Sequence, residues 1–148
     1  MVDNRVLSNA DLGAGGRAAI LAPMEARLAD FPHLRLRVIL SPGAHIGPGK
    51  ADLLQGVRET GSIAAAGRRM GMSYKRAWRL MEAMNECFAE PLTIATKGGR
   101  AGGGARLTIR GEAVLACFRR IEAGAARAAK RDLAALAAFG LPNRIDPK

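Results

Sequence analysis

The segment GSIAAAGRRMGMSYKRAW, residues 61–78, holds the clearest pattern in this chain. Ser62 and Ser73 each precede a helical run, and serine is a preferred N-cap because its side-chain oxygen accepts a backbone N–H of the first turn. Gly71 lies between the two runs, where glycine commonly ends a helix. Two helices joined by a short glycine-containing turn form a helix-turn-helix unit, which we predict from Ser62 to Phe88.

The helix that follows Ser73 carries two stripes of side chains. Apolar residues recur along it at intervals of three and four, the spacing that places side chains on one helix face. This stripe, expected to face the core, consists of Tyr74, Ala77, Met81, Met84 and Phe88. The second stripe is charged and consists of Lys75, Arg79, Glu82 and Glu86, with Arg76 beside its start. Its basic residues therefore lie in the first two turns and its acidic residues in the last two.

This charge distribution predicts a helix that enters the major groove of DNA by its N-terminal end. Arg and Lys side chains bind guanine O6 and N7, and Ser73 is suited to bind a phosphate. The alternative is a solvated amphipathic helix whose charges only keep the protein soluble. That alternative does not account for the nine basic and three acidic residues between Ser62 and Arg110.

We therefore interpret residues 73–88 as a recognition helix. The basic side chains expected to contact DNA are Lys75, Arg76 and Arg79. Trp78 and the methionines are assigned to the core, whereas Tyr74 fits either the core or the DNA-facing surface.

Small and flexible residues in the first helix and the turn predict how the unit packs. Ala66 and Gly67 fall where the first helix must lie close to the second. Met70 and Met72 flank the turn and are expected to be its buried anchors.

A second motif is the glycine-rich loop KGGRAGGGAR, residues 97–106. It separates LTIAT from RLTI, two short runs that predict the strands of a hairpin. A nucleotide-binding P-loop is excluded, because no Lys–Ser/Thr pair follows the second glycine cluster and a strand, not a helix, comes next. Two interpretations remain: a wing that lies on the sugar-phosphate backbone or in the minor groove, and a linker that contacts nothing. The predicted wing contacts are Lys97, Gly98, Gly99, Arg100, Gly102, Gly103 and Arg106.

Regular elements are also predicted on both sides of these motifs. LRLRVIL (34–40) alternates with a period of two and predicts a half-buried strand with Leu34, Leu36, Val38 and Leu40 on one face. Residues 41–49 are rich in Pro and Gly and predict a turn, and residues 50–59 predict a helix with Pro48 at its start. From Gly111 onward, an apolar stripe from Val114 to Phe139 predicts a long helical region suited to dimerisation.

The composition favours a partner that carries negative charge. The 148 residues have a formal net charge of +10, which is typical of nucleic-acid-binding proteins and less often of proteins that bind anionic membranes. With no apolar run of 18 residues and no secretory signal pattern, we expect a cytoplasmic protein without a membrane span. Cys87 and Cys117 are expected to be reduced and buried, and His33 and His45 to bind no metal. No catalytic set is recognisable, so we do not expect an enzyme.

Three segments together resemble the DNA-binding domain of ModE, the molybdate-responsive transcriptional regulator. They are GSIAAAGRRMGMSYKRAW (61–78), EAMN (82–85) and ATKGGRAGGGARLT (95–108). The resemblance covers roughly residues 34–125 of the chain. It implies a winged helix fold related to that of the LysR-type regulators, and DNA binding as a homodimer.

On the matching positions, the resemblance implies DNA contacts for Ser73, Tyr74 and Lys75 and a wing over residues 98–106. Arg76 and Arg79 are not implied by it, and their role rests on the charge pattern. ModE also contains a C-terminal molbindin region that binds molybdate, whereas this chain continues after residue 125 as an alanine-rich helix and a short tail. We therefore expect a stand-alone DNA-binding domain with no cofactor and no molybdate binding of its own.

The sequence thus predicts a mainly α fold with a small β-hairpin, a winged helix-turn-helix with a long C-terminal helix. Residues 1–30 are expected to form a loosely ordered arm, residues 31–139 the DNA-binding and dimerisation domain, and residues 140–148 a polar tail. The function hypothesis is a dimeric, sequence-specific transcriptional regulator. Two alternatives stay open: a nucleoid-type protein that binds DNA of any sequence, and an oxyanion-binding protein.

Overall fold

A computed structural model describes residues 32–97 and 103–140, and the predicted arm and most of the predicted tail lie outside them. Within these residues the chain is mainly α, with two small antiparallel sheets and a long C-terminal helix, as predicted. The strands are β1 (Val38–Ser41), β2 (Ala44–Ile46), β3 (Thr93–Thr96) and β4 (Gly104–Leu107). The helices are α1 (Pro48–Thr60), α2 (Ile63–Arg69), α3 (Tyr74–Glu86) and α4 (Ile109–Ala138).

The two serine caps that define the helix-turn-helix unit form as predicted. Ser62 Oγ accepts a hydrogen bond from the Ala65 backbone N–H at 3.2 Å, and Ser73 Oγ accepts one from the Arg76 N–H at 3.3 Å. Gly61 and Gly71 have φ values of +68° and +66°, a left-handed conformation that residues with a side chain adopt with difficulty. They end α1 and form the turn between α2 and α3.

The two small residues of α2 make close approaches, but to different helices. A Cβ on Gly67 would lie 2.8 Å from the Cβ of Ala77 in α3, so glycine is needed where the two helices meet. Ala66 instead contacts Gly56 of α1. The predicted close approach of α2 to α3 is therefore confirmed at Gly67, and Ala66 makes a further close approach to α1. Met70 and Met72 are half-buried and pack against the edge of the core.

The core lies between α1, α3, the β3–β4 hairpin and the first half of α4. Its largest fully buried side chains are Phe118, Leu53, Leu54, Met81, Met84, Leu92, Leu115 and Val57. Most of these side chains come from helices whose apolar stripes the sequence predicted.

The predicted strand at residues 34–40 is shorter and less buried than expected. Strand β1 begins only at Val38, and Leu34 and Leu40 are exposed, whereas Leu36 and Val38 pack against the core. The pairing register shifts between Ile39 and Ser41, a bulge-type irregularity that interrupts the alternation of faces. The region predicted as a turn, residues 41–49, also contains β2, which folds back on β1 through a turn at Gly43.

Helix α4 is continuous over 30 residues, a length of about 45 Å. Its first half contributes Leu115 and Phe118 to the core. In its second half the apolar side chains are largely exposed, with Leu136 at 65% and Phe139 at 86%. None of the helices in the described residues combines the length and hydropathy needed to cross a membrane.

A buried arginine joins α4 to α1. The side chain of Arg119 is 2% exposed and donates to Asp52 Oδ1 at 2.6 Å, to Gln55 Oε1 at 2.8 Å and to Glu122 Oε2 at 2.7 Å. The sequence analysis did not identify this cluster. The positive guanidinium forms ion pairs with two carboxylates and donates a hydrogen bond to one amide, at the point where the two helices cross.

Both cysteines are free thiols, as predicted, but only Cys87 is partly buried. Cys117 is exposed, so its assignment to the core is wrong. It lies between Leu115 and Phe118 in sequence yet on the solvent side of α4, because the helical period turns it away from the face that those two residues share.

Candidate nucleic-acid interface

The outer face of α3 carries the basic residues that the sequence selected. Lys75, Arg76 and Arg79 are all exposed. Together with Ser73 and Leu80 they line an open concavity of about 380 Å³, here named the basic groove. Three cations and a serine hydroxyl thus converge at the N-terminal end of α3, where the helix dipole also favours a bound anion. The Ser73 oxygen already caps the helix, and its hydroxyl proton is free to be donated to a ligand.

Some of the basic residues in the described ranges pair with an acidic side chain, whereas those of the basic groove do not. Surface pairs join Arg69 to Glu59 at 3.0 Å and Arg58 to Glu112 at 3.4 Å. By contrast, no salt bridge within 4.0 Å involves Lys75, Arg76 or Arg79 among the described residues. Their charges are therefore available to an external anion.

Arg110 is one of the nine basic residues between Ser62 and Arg110, but a nearby carboxylate neutralises its charge. It donates to Glu90 Oε1 at 2.9 Å. This hydrogen bond and the positive charge of Arg110 lower the pKa of the Glu90 carboxyl, and the same hydrogen bond and the negative charge of Glu90 raise the pKa of the Arg110 guanidinium. The pair therefore stays ionised at neutral pH, and Arg110 contributes little free positive charge to the surface.

Two aromatic residues of α3 lie on the surface and not in the core. Tyr74 is 61% exposed and Trp78 is 40% exposed. Their rings stack on each other, with centroids 6.4 Å apart and an angle of 24° between the planes. The core assignment of Trp78 is therefore wrong, and the core interpretation of Tyr74 is wrong as well. The reason is angular: Ala77, Met81 and Met84 fill the centre of the buried face, and positions 74 and 78 fall on its flank.

The predicted hairpin is present, with β3 and β4 paired in register from Thr93 opposite Leu107 to Thr96 opposite Gly104. A strand therefore follows the glycine-rich loop, in agreement with the exclusion of a P-loop. Lys97, Gly103 and Arg106 are exposed at its end and along β4. The remaining predicted wing positions lie outside the described residues; they are Gly98, Gly99, Arg100 and Gly102.

Hydrogen bonds donated by backbone N–H groups fix the base of the hairpin against the end of α3 and against Gly61, which precedes α2. Asn85 Oδ1, near the end of α3, accepts from the backbone N–H groups of Leu92 at 2.8 Å and Thr93 at 3.2 Å. On the other strand, the Ala105 N–H donates to the Gly61 carbonyl at 2.9 Å. The hairpin is thus held at two points, so that α3 and the hairpin present their basic residues as one unit.

Asn85 and Arg119 are the two positioning residues that sequence reasoning did not assign. Each of the two residues lies at a helical spacing from apolar residues that turns it towards the core. Asn85 stands four residues after Met81 of the apolar stripe, and Arg119 stands four residues after Leu115 on the buried face of α4. A polar side chain that is buried needs hydrogen-bond partners. A polar residue at a core position of a predicted helix therefore indicates such a contact.

The described part of the chain offers no alternative metal chemistry. No three His, Cys, Asp or Glu side chains within it lie close enough together to hold a metal ion. The basic groove brings three exposed cations, which make no salt bridge among the described residues, together on one helix. The arrangement is suited to binding an extended polyanion.

No protein-family model matches the chain. It is 47% identical over 90 residues to the molybdenum-pterin-binding protein MopB of Rhodobacter capsulatus, a match that covers 61% of this chain and 33% of that protein. It is 34% identical over 88 residues to the molybdenum transport protein ModE of Azotobacter vinelandii, covering 60% and 33%. It is also 34% identical over 71 residues to the DNA-binding transcriptional dual regulator ModE of Escherichia coli (strain K12), covering 48% and 27%.

The chain thus spans about a third of the length of the curated relatives that it matches. Their names describe molybdenum-pterin binding, molybdenum transport and transcriptional regulation. Over about half to three fifths of its own length, the chain is similar to ModE proteins and to molybdenum-pterin-binding proteins.

Proposed function

We propose that this chain is a sequence-specific DNA-binding module of a ModE-like transcriptional regulator. The observation that carries the proposal is the basic groove, in which Lys75, Arg76 and Arg79 are exposed, unpaired and gathered at the N-terminal end of the second helix of a helix-turn-helix unit. The name of the similar Escherichia coli protein, a DNA-binding dual regulator, supports it.

In the proposed complex, α3 lies in the major groove with its N-terminal turns towards the bases. Lys75 and Arg79 lie one turn apart on the helix and are suited to guanine O6 and N7, while Ser73 and Arg76 are suited to phosphate oxygens. Residues 97–106 serve as the wing, with Lys97 and Arg106 directed at the DNA backbone or the minor groove. Because Asn85 and Gly61 anchor the hairpin, helix and wing would engage the duplex together.

A genome-wide footprint of bound DNA tests this proposal. A sequence-specific regulator protects a limited set of sites that share a motif, with half-sites about one helical turn apart if the protein is a dimer. A nucleoid-type protein would protect fragments without a shared motif. Calorimetry with molybdate, tungstate and nucleotides tests the oxyanion-binding alternative, which heat of binding in the absence of DNA would favour.

The wing assignment makes a prediction about salt dependence. Replacing Arg106 by alanine should weaken binding to all duplexes to the same degree, because a phosphate contact carries no sequence information. The slope of log K against log salt concentration should fall in magnitude by about one. Titrations of labelled duplex at several salt concentrations measure both quantities. A loss confined to the preferred sequence would mean instead that Arg106 reads bases.

We also propose that the protein is a homodimer and that the second half of α4 forms the interface. The support is a stripe of half-buried Leu133 and exposed Leu136 and Phe139, which extends beyond the core on a helix about 45 Å long. Pairing two such helices removes these side chains from water and sets two copies of α3 at a fixed spacing.

The interface assignment predicts a change in molecular mass. The double variant Leu136→Asp, Phe139→Asp should sediment as a monomer at micromolar concentration, because two carboxylates would have to be buried against a second copy. The paired control is Arg131→Asp, which adds negative charge to the same part of α4 at an exposed basic position. A double variant that sediments like the parent would place the interface elsewhere.

A further inference from the structure

Tyr74 and Trp78 form a stacked aromatic pair on the surface of α3. Both rings are substantially exposed, and they contact each other but are not part of the core. Burial of large aromatic surface is favourable, so a soluble surface that keeps two such rings together in water indicates a partner that covers them. Trp78 is also the one tryptophan in the chain.

The position of the pair on α3 identifies where that partner lies. Residues 74, 78 and 85 follow one another at intervals of four and seven, so they share one flank of the helix. Asn85 on this flank holds the hairpin through Leu92 and Thr93. The aromatic pair therefore lies beside the charged face of Lys75 and Arg79, on the flank of α3 that Asn85 ties to the hairpin. A duplex held by both would pass across the two rings.

We propose that Tyr74 and Trp78 recognise thymine through its 5-methyl group in the major groove. The inference rests on the proposed function, for which it names a specificity element. The pair offers mainly apolar ring surface, whereas the neighbouring cations offer only hydrogen-bond donors. Of the groups that base pairs display in the major groove, the thymine methyl is the apolar one, and it is read by apolar contact. Unpaired cations on the adjacent face attract the duplex and so select DNA over an apolar protein partner.

The experiment uses the whole chain and a duplex taken from the footprint. Thymines are replaced one at a time by deoxyuridine, which removes only the methyl group and keeps every base-pairing hydrogen bond. Loss of one contacted methyl should weaken binding by the parent protein about fourfold, the effect of one buried methylene-sized group. The variant Trp78→Ala should bind the thymine duplex more weakly, and the same deoxyuridine replacement should then cost it nothing further.

The controls separate this contact from effects on the fold. Trp78→Phe keeps an apolar ring and should keep the sensitivity to deoxyuridine. Ile39→Ala removes an exposed apolar side chain far from α3 in sequence and should leave all dissociation constants unchanged. The fluorescence of Trp78 should change on saturation with the duplex.

Each outcome has a distinct meaning. A parent protein that prefers its duplex over a scrambled one, but tolerates deoxyuridine at every position, overturns the thymine contact and leaves the proposed function intact. Full deoxyuridine sensitivity in Trp78→Ala, or unchanged fluorescence at saturation, also overturns the contact. A parent protein without any sequence preference overturns the proposed function, and the thymine contact with it.

Discussion

Replacing Arg119 by methionine should lower the free energy of unfolding by about 3 kcal/mol, because the variant loses a buried guanidinium whose charge and hydrogen bonds join two helices. The guanidinium of Arg119 holds Asp52 of α1 and Glu122 of α4, and its side chain is 2% exposed. Methionine keeps the length of the stem, so most of the loss reflects the missing charge and hydrogen bonds. Urea unfolding followed by circular dichroism measures the difference.

The matched control is Arg69→Met. Arg69 also pairs with a carboxylate, Glu59 at 3.0 Å, but both side chains are well exposed. Exposed pairs contribute between about zero and 1 kcal/mol, so this variant should stay close to the parent. Equal losses for Arg119→Met and Arg69→Met would show that the buried cluster does not join α1 to α4.

The double variant Lys75→Ala, Arg79→Ala should lose its preference for the operator. Each base contact removed is worth about 1–3 kcal/mol of discrimination, so the specificity ratio should fall by about 30-fold to several thousandfold or more. Non-specific affinity should fall much less, because the wing and the remaining cations still bind phosphate. Fluorescence anisotropy with the operator and a scrambled duplex of the same length measures both affinities.

Arg131→Ala and Lys130→Ala together provide the control for net charge. These two residues are basic and lie in the second half of α4. Their removal changes the charge of the protein by the same amount as the recognition-helix variant. It should lower all affinities slightly and leave the ratio unchanged. A recognition-helix variant that keeps the parent's ratio would show that α3 does not read bases.

The helix-turn-helix unit could be predicted from the sequence because its determinants are local. The caps at Ser62 and Ser73 and the left-handed glycines at 61 and 71 act on their own neighbours in the chain. The same holds for the hairpin, whose two strands are separated by one glycine-rich loop. The three lysine and arginine positions of the basic groove follow from helical spacing, and the structure places them together on the outer face of α3.

The features that escaped prediction depend on contacts between distant parts of the chain. Arg119 donates hydrogen bonds to Asp52 and Gln55, which lie more than 60 residues earlier in the sequence. Asn85 accepts a hydrogen bond from the backbone beside a strand that follows the next loop. The prediction that Trp78 lies in the core rested on its hydrophobicity alone. Its actual position depends on how much of the helix circumference the core covers, which spacing does not reveal.

The most direct test of the account is the ratio of two dissociation constants for the parent protein at physiological salt. One duplex carries the motif enriched in the footprint, and the other carries the same bases in scrambled order. Sequence-specific DNA-binding proteins discriminate by about a thousandfold or more, and we predict a ratio in that range. A ratio near one would contradict base reading by α3 and would identify the basic groove as a surface that binds DNA of any sequence.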